Sequence, residues 1–187
     1  MKNLLLIPCG LAGTGKSTFL KKISSLYDNF LYIDKDSINN AFILDIESKK
    51  RKSMDFYDEH IKMQTYTAMF ALAKDNLLLG KNIILDGYFI DKFSTPFMNE
   101  LINSLNDVEY NLKTIYFYCN KDILKERLST RSYWRDSDKL ESIETFESYI
   151  EEDTSKIANI KFNLELDTEK NIELLIKEFD EFLQKCY

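Results

Sequence analysis

The sequence predicts an α/β fold in which helices cover a mostly parallel, five-stranded sheet in three layers. Five short apolar runs have the length of buried strands, and helical patterns separate them, which is typical of βαβ units. The 187 residues contain no internal repeat and no linker-like segment, so we expect a single domain over residues 1–187. The five predicted strands are 4–9, 30–33, 83–85, 114–119 and 161–166.

The composition excludes several classes of protein. Hydrophobic residues make up 44% of the chain and charged residues 30%, as in an ordinary globular domain. The net charge of −6 argues against a wide basic face that holds nucleic acid. His60 is the only histidine, which excludes a histidine-based triad. The three cysteines lack a metal-binding spacing, and neither a signal peptide nor a membrane-spanning run is visible, so we expect a cytoplasmic protein with reduced thiols and no membrane partner.

A glycine-rich loop follows the first predicted strand and precedes a helical pattern. It reads Gly10-Leu11-Ala12-Gly13-Thr14-Gly15-Lys16-Ser17, which matches G-x-x-x-x-G-K-[S/T], and Thr18 follows. Glycines let backbone N–H groups turn toward an anion, and the next helix directs its positive end to the same place. The alternative is a glycine turn with an unrelated lysine, which the flanking strand and helix disfavour. We therefore expect a nucleoside triphosphate to bind here. Lys16 is expected to be catalytic and to contact the β- and γ-phosphates, and the Ser17 hydroxyl is expected to bind Mg²⁺. The expected nucleotide-binding residues are Gly10, Gly13, Thr14, Gly15, Lys16, Ser17 and Thr18.

Carboxylates follow the second and third predicted strands, at the edge of a parallel sheet where ligands bind. Asp36 could accept the proton of a hydroxyl that attacks the γ-phosphate, or it could be the N-cap of the following helix. Asp34 is expected to turn toward the core or the metal shell. Asp86 ends an apolar strand in the form of a Walker B aspartate that holds Mg²⁺, although Asp-Gly also makes ordinary turns.

Residues 36–79 form an insertion between the second and third predicted strands. The segment is far longer than one crossover requires, and it divides into a helix near Asp36 and a longer helix over 52–79. On the longer helix, Ile61, Ala68, Leu72 and Leu79 predict one apolar face, with Phe70, Ala73 and Leu77 beside it. The insertion could cap a second substrate, or it could only thicken the core.

Arginines follow the fourth predicted strand, in a segment over 127–138 that we interpret as a lid. Arg127 and Arg131 are four residues apart and therefore share a helix face, and Arg135 follows. Such arginines could meet the negative charge that develops on the γ-phosphate, or they could form surface salt bridges with Glu126, Asp136 or Asp138.

Two further segments bear on the nucleotide. The sequence Asn120-Lys121-Asp122-Ile123 lacks the final aspartate of a guanine-reading motif, so ATP is the expected nucleotide. The loop at Asp167-Thr168 leaves the last predicted strand, where it could help to hold the base.

With these segments the chain resembles the small P-loop kinases grouped with phage-type polynucleotide kinases, gluconate-kinase-like enzymes, and the zeta-toxin and chloramphenicol-phosphotransferase relatives. The resemblance rests on residues 10–18, Asp36, residues 85–89, and residues 126–131 leading to Asp136. It implies the strand order 2-3-1-4-5, Asp36 as the base, and Arg127 and Arg131 on the phosphates. Polynucleotide kinases of this kind carry an arginine three residues after the base, where this chain has Asn39.

The sequence therefore predicts an ATP- and Mg²⁺-dependent kinase that phosphorylates a hydroxyl of a small molecule. The alternatives are a polynucleotide 5′-hydroxyl kinase, a zeta-toxin-like kinase of an activated sugar and, from a different class, an ATP-hydrolysing switch or binding module. Asp36 and the arginine lid argue against a pure switch. The residues expected around the acceptor are Asp34, Asp36, Asn39, Asp86, Tyr88 and Arg135.

Overall fold

A parallel five-stranded sheet forms the centre of the computed structural model, which describes residues 2–42, 56–57, 60–90, 95–131, 136 and 138–187. The strand order is β2-β3-β1-β4-β5, and every strand pair is parallel. The predicted strand number, direction and order are thus confirmed. The strands are β1 (Asn3–Cys9), β2 (Phe30–Asp34), β3 (Asn82–Asp86), β4 (Tyr110–Tyr118) and β5 (Leu164–Asp167).

The helices lie on both faces of the sheet, which gives the predicted three layers. Among the described residues a short 3₁₀ turn, Asp138–Leu140, lies between the helices Lys121–Arg131 and Ile143–Ile157. The helices are α1 (Lys16–Leu26), α2 (Lys35–Phe42), α3 (Lys62–Leu78), α4 (Pro96–Asn103), α5 (Lys121–Arg131), α6 (Ile143–Ile157) and α7 (Ile172–Cys186). No helix in the described ranges is long and apolar enough to cross a membrane.

Strand β1 is buried on both of its faces. Leu5 and Ile7 pack with α3 and α4, whereas Leu4 and Leu6 pack with α1 and α7. Alternate side chains of a strand point to opposite faces, so a continuous apolar run is what a strand covered on both sides requires. Because β1 pairs with β3 on one side and β4 on the other, the loop after Cys9 emerges at the middle of the carboxyl edge.

The predicted apolar face of α3 is confirmed only in part. Leu72 and Leu79 are exposed, the latter with 77% of its surface accessible, whereas Ile61 is buried as predicted. Phe70, Ala73 and Leu77, which were predicted beside that face, are buried against the sheet together with Tyr66 and Met69. The centre of the buried stripe is therefore shifted toward the aromatic residues, which bury more apolar area than the leucines would. The predicted start of this helix near residue 52 lies outside the described residues.

Two strand boundaries also differ from the sequence prediction. Strand β4 begins at Tyr110 because it pairs with β1 along its whole length, from Asn3↔Tyr110 to Cys9↔Tyr116. Strand β5 begins only at Leu164, since the side chain of Asn163 accepts a hydrogen bond from the Thr114 backbone N–H and ends the regular pairing there. Residues 110–113 are too polar for their sequence to predict a strand, and they form one because they pair with β1.

A buried asparagine at the start of β3 forms hydrogen bonds at the amino-terminal edge of the sheet. The side chain of Asn82 accepts a hydrogen bond from the Leu4 N–H (2.8 Å) and donates one to the Tyr187 hydroxyl (2.9 Å). The residue is 4% exposed, so its partners cannot be replaced by bulk water without rearrangement.

We expect Asn82→Ala to destabilise the fold without affecting the opposite edge of the sheet. Removing the side chain leaves the buried Leu4 N–H without its partner, which costs about 1–3 kcal/mol in the free energy of unfolding. Denaturant unfolding measures this loss. Asn76→Ala is the control, since the Asn76 side chain is only partly buried and donates to the Leu72 carbonyl of its own helix; equal losses in the two variants would contradict the assignment.

Candidate nucleotide and acceptor site

A cavity of about 810 Å³ opens at the carboxyl edge of the sheet. This volume is within the range of pockets that hold nucleotide-sized ligands. Its lining comes from the glycine loop with the start of α1, from the ends of β2 and β3, from α2, α3, α5, α6 and α7, from the 3₁₀ turn and from the segment after β5. Elements far apart in sequence thus meet at one place, as the fold class predicts for its ligand site.

The glycine loop has a backbone conformation that requires its glycines. Gly10, Gly13 and Gly15 have φ angles of +138°, +88° and +81°. A Cβ on Gly10 would lie 2.2 Å from the Phe117 carbonyl oxygen of β4, so this position is closed to side chains. Thr14 is buried, and its hydroxyl donates to the Leu11 carbonyl (2.8 Å), so it shapes the loop from within.

The other predicted loop residues reach the cavity. Its lining includes Gly13, Gly15, Lys16, Ser17 and Thr18. Helix α1 begins at Lys16, so its first backbone N–H groups and its positive dipole end lie at the cavity wall. The loop and helix therefore have the geometry that the predicted anion site requires, and anion binding there remains a prediction.

Lys16 is a partly buried cation at the centre of this site. Its Nζ donates to the carbonyls of Gly10 and Leu11, both at 2.7 Å. Burial lowers the pKa of Lys16 to about 8, against the field of nearby Asp86, which raises it. Arg131 and Lys139 on the lid side lower it further. Part of the Lys16 population is thus neutral at mildly alkaline pH, and an arriving phosphate would favour the charged form.

Asp86 and Ser17 supply the oxygens expected for a magnesium site. Asp34 and Asp86 are register partners at the ends of β2 and β3, and Asp34, Asp86 and Ser17 all line the cavity. The described residues contain no cluster of three histidine, cysteine, aspartate or glutamate side chains that could hold a metal alone. One hydroxyl and one carboxylate nevertheless fit Mg²⁺, which usually keeps several waters and takes further oxygens from substrate phosphates.

Tyr32 is a residue of this site that sequence reasoning missed. Its hydroxyl donates to Asp86 Oδ2 (2.5 Å) and also contacts Ser17. Burial, together with the negative charge of Asp86, raises the pKa of Tyr32 well above its ordinary value, so it stays a hydrogen-bond donor. Tyr32 orients the carboxylate that the sequence assigns to the metal. The only signal was its position two residues before Asp34, on the same side of the strand.

The capping role belongs to Asp34, and this corrects two expectations. The Asp34 carboxylate accepts hydrogen bonds from the Asp36 N–H (3.1 Å) and the Ser37 hydroxyl (2.7 Å), which is the N-cap arrangement for α2. Asp34 is thus not turned into the core, and Asp36 is not the cap. Asp36 is instead the second residue of α2, and its exposed side chain lines the cavity.

Asn39 lies behind Asp36 and joins it to α3. Its amide donates to Asp36 Oδ1 (3.5 Å) and accepts from the Thr65 hydroxyl (2.6 Å), and the residue is 5% exposed. Within the predicted insertion, α2 and α3 are thus linked to the Asp36 carboxylate through Asn39, and the cap over a second substrate remains a prediction. The predicted contact of Asn39 with an acceptor remains a prediction.

Arg127 contacts the segment after β5. Its guanidinium donates to the Thr168 hydroxyl (2.9 Å) and to the Thr168 carbonyl (2.8 Å), and Arg127 lines the cavity. Its Nη1 would lie 3.7 Å from a Cβ on Gly15, so the arginine flanks the phosphate loop. The predicted base-side loop at Asp167-Thr168 and the predicted phosphate-side arginine are thus in direct contact.

Arg131 forms the ion pair that was one of the two predicted alternatives, and its role on the phosphates remains a prediction. It lines the cavity, and its guanidinium also pairs with Asp136 through Nε (2.9 Å) and Nη2. Lys139 binds the other Asp136 oxygen at 2.9 Å. Burial alone would raise the pKa of Asp136, but Lys139 and Arg131 outweigh it and hold this pKa below its usual range. Arg135 lies outside the described residues.

Lys139 and Tyr149 extend this network to the glycine loop. The Tyr149 hydroxyl accepts a hydrogen bond from the Ala12 N–H (2.9 Å), and the Lys139 ammonium lies 5.1 Å from the centre of the Tyr149 ring. Both residues line the cavity. Sequence reasoning missed them because Tyr149 neighbours an apolar helical stripe and Lys139 stands among other charged residues.

The far end of the cavity contains tyrosines and lysines. Tyr88, predicted at the acceptor, lines it, and the Tyr88 carbonyl accepts a hydrogen bond from the Tyr66 hydroxyl. Lys35 is 7% exposed, and its Nζ lies 4.9 Å and 5.6 Å from the ring centres of Tyr57 and Tyr66. Lys35 was not among the predicted site residues.

Comparisons with solved structures agree with this fold. A suspected kinase from Chloroflexus aurantiacus has a TM-score of 0.69 at 16% identity, with 98% of this chain and 97% of that chain covered. Shikimate kinase from Bacteroides thetaiotaomicron has a TM-score of 0.65 at 15% identity, covering 97% and 98%. The Pnkp1/Rnl/Hen1 RNA repair complex matches with a TM-score of 0.56 at 18% identity, covering 86% of this chain and 47% of that one.

Sequence comparison identifies the family. No curated protein matches the chain. Residues 5–152, more than three quarters of the sequence, match the family model described as an AAA domain. The chain therefore belongs to the AAA domain family, and its fold is that of the small P-loop kinases.

Proposed function

We propose that this protein is an ATP- and Mg²⁺-dependent kinase that transfers the γ-phosphoryl group of ATP to a hydroxyl of a small-molecule acceptor. The observation that carries the proposal is the shared lining of one cavity. The phosphate loop, the carboxylate of Asp36 and the arginines of α5 all border the same space. A nucleotide switch needs the loop, but it has no use for a braced carboxylate beside it.

The loop and the lid bind the nucleotide. Backbone N–H groups at the start of α1 and the ammonium of Lys16 receive the phosphates. Arg127 and Arg131 stand beside them, where a planar guanidinium can donate two hydrogen bonds to one phosphoryl group. These donors act most strongly when charge builds up on the γ-phosphoryl oxygens. Tyr149, by holding the Ala12 N–H, keeps the mouth of the loop in place.

Ser17 and Asp86 are the residues that would hold Mg²⁺. The ion would neutralise phosphate charge and help to align the triphosphate. Tyr32 keeps Asp86 oriented through its hydroxyl, and that orientation is present in the protein itself.

Asp36 takes the proton of the acceptor. As the acceptor oxygen forms its bond to the γ-phosphorus, the bond between that phosphorus and the β,γ-bridging oxygen breaks, and ADP leaves with the bond's electron pair. The hydroxyl proton passes to the Asp36 carboxylate. The Asn39 amide, held by Thr65, keeps Asp36 at the edge of the cavity.

A polynucleotide 5′-hydroxyl kinase is the second candidate. The similarity to a structure of an RNA repair complex favours it. Two observations argue against it. The net charge of the chain is −6, which disfavours binding to a nucleic acid. Asn39, which is hydrogen-bonded to Thr65, also stands at the position where the polynucleotide kinases that this chain resembles carry an arginine. A zeta-toxin-like kinase of an activated sugar stays open within the same reaction class.

We expect ATP affinity to fall as the pH rises above about 8, because the pKa of Lys16 is about 8 and only its charged form attracts phosphate. Bound phosphate raises this pKa, so binding takes up a proton above pH 8, and affinity decreases by up to about tenfold per pH unit. Calorimetric titration of ATP between pH 7 and 10 measures the effect. Lys16→Arg is the matched control because its charge does not titrate there; an identical pH profile in both proteins would exclude Lys16 as the cause.

We expect Arg127→Ala and Arg131→Ala each to lower kcat by about a hundredfold or more, with a smaller effect on ATP affinity. The reason is that the guanidinium groups meet charge that develops in the transition state. Steady-state kinetics with ATP and an acceptor measures the split between kcat and affinity. Asp136→Asn is the control, because it weakens the ion pair but retains Arg131. A loss of thermal stability alone in all three variants would assign the arginines a structural role.

We expect Asp36→Asn to reduce phosphoryl transfer by about 10² to 10⁴ while ATP still binds, since the amide cannot accept the proton. An acceptor screen over sugars, nucleosides, antibiotics and 5′-hydroxyl oligonucleotides comes first. Asp34→Asn is the matched control, because its remaining carbonyl oxygen can still cap α2, and it should reduce transfer less. Equal transfer rates in wild type and Asp36→Asn would move the base elsewhere, and Asp86 would be next to test.

A further inference from the structure

Tyr149 has a hydroxyl hydrogen that none of the described residues accepts. The hydroxyl oxygen accepts a hydrogen bond from the Ala12 N–H at 2.9 Å, and within the described part of the chain this is the only hydrogen bond of the Tyr149 side chain. A phenol hydroxyl has one hydrogen to donate in addition to its lone pairs, so the donor is unused. Tyr149 and Ala12 both line the cavity, and the hydrogen is therefore available to a ligand that enters it.

The contact with Ala12 changes which donor the phosphate loop presents at this point. Backbone N–H groups of such a loop are the groups that receive phosphate oxygens. The Ala12 N–H instead donates to the Tyr149 oxygen. A hydroxyl that accepts one hydrogen bond is polarised and becomes a stronger donor for a second. The Tyr149 hydroxyl thus replaces the Ala12 N–H as the donor at this point of the cavity wall.

Charged neighbours indicate which phosphate Tyr149 would meet. The Lys139 ammonium lies 5.1 Å from the centre of the Tyr149 ring, and the charge of Lys139 also acts on Lys16. The lysine of a phosphate loop reaches the β- and γ-phosphates. The expected base side is formed by different elements, where Arg127 of α5 donates to Thr168. The Tyr149 hydroxyl is therefore expected beside the terminal phosphate and not beside the base.

The surroundings keep the Tyr149 hydroxyl protonated. Burial raises the pKa of Tyr149 well above its ordinary value, and the negative charges of Asp153 and Asp136 raise it further. The Ala12 N–H and the positive charge of Arg131 lower this pKa, but they do not offset the effect of burial. Tyr149 is therefore a neutral donor near pH 7, and it can bond to a phosphate oxygen without first changing its charge.

Asp153 is the competing acceptor for this hydrogen. It follows Tyr149 by one turn of α6 and is 3% exposed. Its Oδ1 pairs with Lys156 at 3.0 Å, whereas its Oδ2 has no hydrogen-bond partner in the described structure. The two acceptors predict different nucleotide preferences. A hydrogen bond to a phosphate adds affinity only for a nucleotide that has this phosphate, whereas a hydrogen bond to Asp153 adds no such preference.

We infer that the Tyr149 hydroxyl donates a hydrogen bond to an oxygen of the γ-phosphoryl group, and that this residue makes the site prefer ATP to ADP. Both nucleotides have the α- and β-phosphates that the loop amides would hold, so the loop alone distinguishes them little. A hydrogen bond to a charged oxygen is stronger than one between neutral groups. The inference rests on the proposed use of ATP as the phosphoryl donor, but its first test requires no turnover.

Calorimetric titration of ADP and of a non-hydrolysable ATP analogue, each with Mg²⁺, tests the inference. We expect Tyr149→Phe to reduce the ratio of analogue affinity to ADP affinity by about tenfold to a hundredfold. If Tyr149 only holds the loop in shape, its loss weakens both nucleotides equally and the ratio stays constant. Tyr27→Phe is the matched control, because it also removes a hydroxyl, in this case one that donates to Asp180 and does not line the cavity.

Steady-state kinetics gives a second test once an acceptor is known. We expect the KM for ATP to rise by about tenfold or more in Tyr149→Phe, while the inhibition constant of ADP changes much less. The KM for the acceptor should stay near its wild-type value, since Asp36 and Asn39 are untouched. A parallel rise in the KM for ATP and the inhibition constant of ADP would assign Tyr149 a structural role and overturn the inference.

The outcomes separate this inference from the kinase proposal. An affinity ratio that depends on Tyr149, with no acceptor phosphorylated, would retain the inference and overturn the kinase. Phosphoryl transfer with an affinity ratio equal in wild type and Tyr149→Phe would overturn the inference alone. Failure of the wild-type protein to bind either nucleotide would overturn both. If Tyr149→Phe does not fold, Tyr149→Met answers the same question, because it also removes the hydroxyl and its flexible side chain fills irregular space.

Discussion

The pairing of β1 between β3 and β4 is the constraint on which the rest of the structure depends. Its residues Leu4 to Ile7 are fully buried, because helices cover both faces of the strand. A strand in this position directs the loop that follows it to the middle of the carboxyl edge. The β4 backbone at Phe117 then passes so close to Gly10 that only glycine fits, and the shape of the phosphate loop follows from the sheet.

Basic and acidic side chains offset one another in the cavity beside that loop. Arg131 and Lys139 lie near enough to Lys16 to lower its pKa, and three cations this close together would repel one another if no anion were present. Asp136 pairs with Arg131 and Lys139, and Asp86 opposes the same field from the sheet edge. The protein thus keeps a high density of positive charge ready for phosphate while each cation retains a partner.

The insertion lines part of the cavity and also contributes hydrogen bonds to it. Thr65 of α3 bonds to Asn39, which bonds to Asp36, so the position of the carboxylate depends on a helix inserted before β3. On the other side of the cavity, Tyr149 of α6 bonds to the Ala12 N–H of the phosphate loop. The phosphate loop and the Asp36 carboxylate are therefore each held by a helix that is distant in sequence, an arrangement that the proposed two-substrate reaction would require.

The sequence by itself determined the parallel sheet, the phosphate loop and the identity of several cavity residues. These follow from local signals: an apolar run for a strand covered on both faces, glycines where φ is positive, and a carboxylate at a strand end. Only the tertiary structure decided which residues form hydrogen bonds with the cavity residues. The Ala12–Tyr149 and Asn39–Thr65 contacts join residues 137 and 26 positions apart, and no local pattern encodes such a meeting. The same holds for Tyr32, whose hydroxyl meets the Asp86 carboxylate of a neighbouring strand.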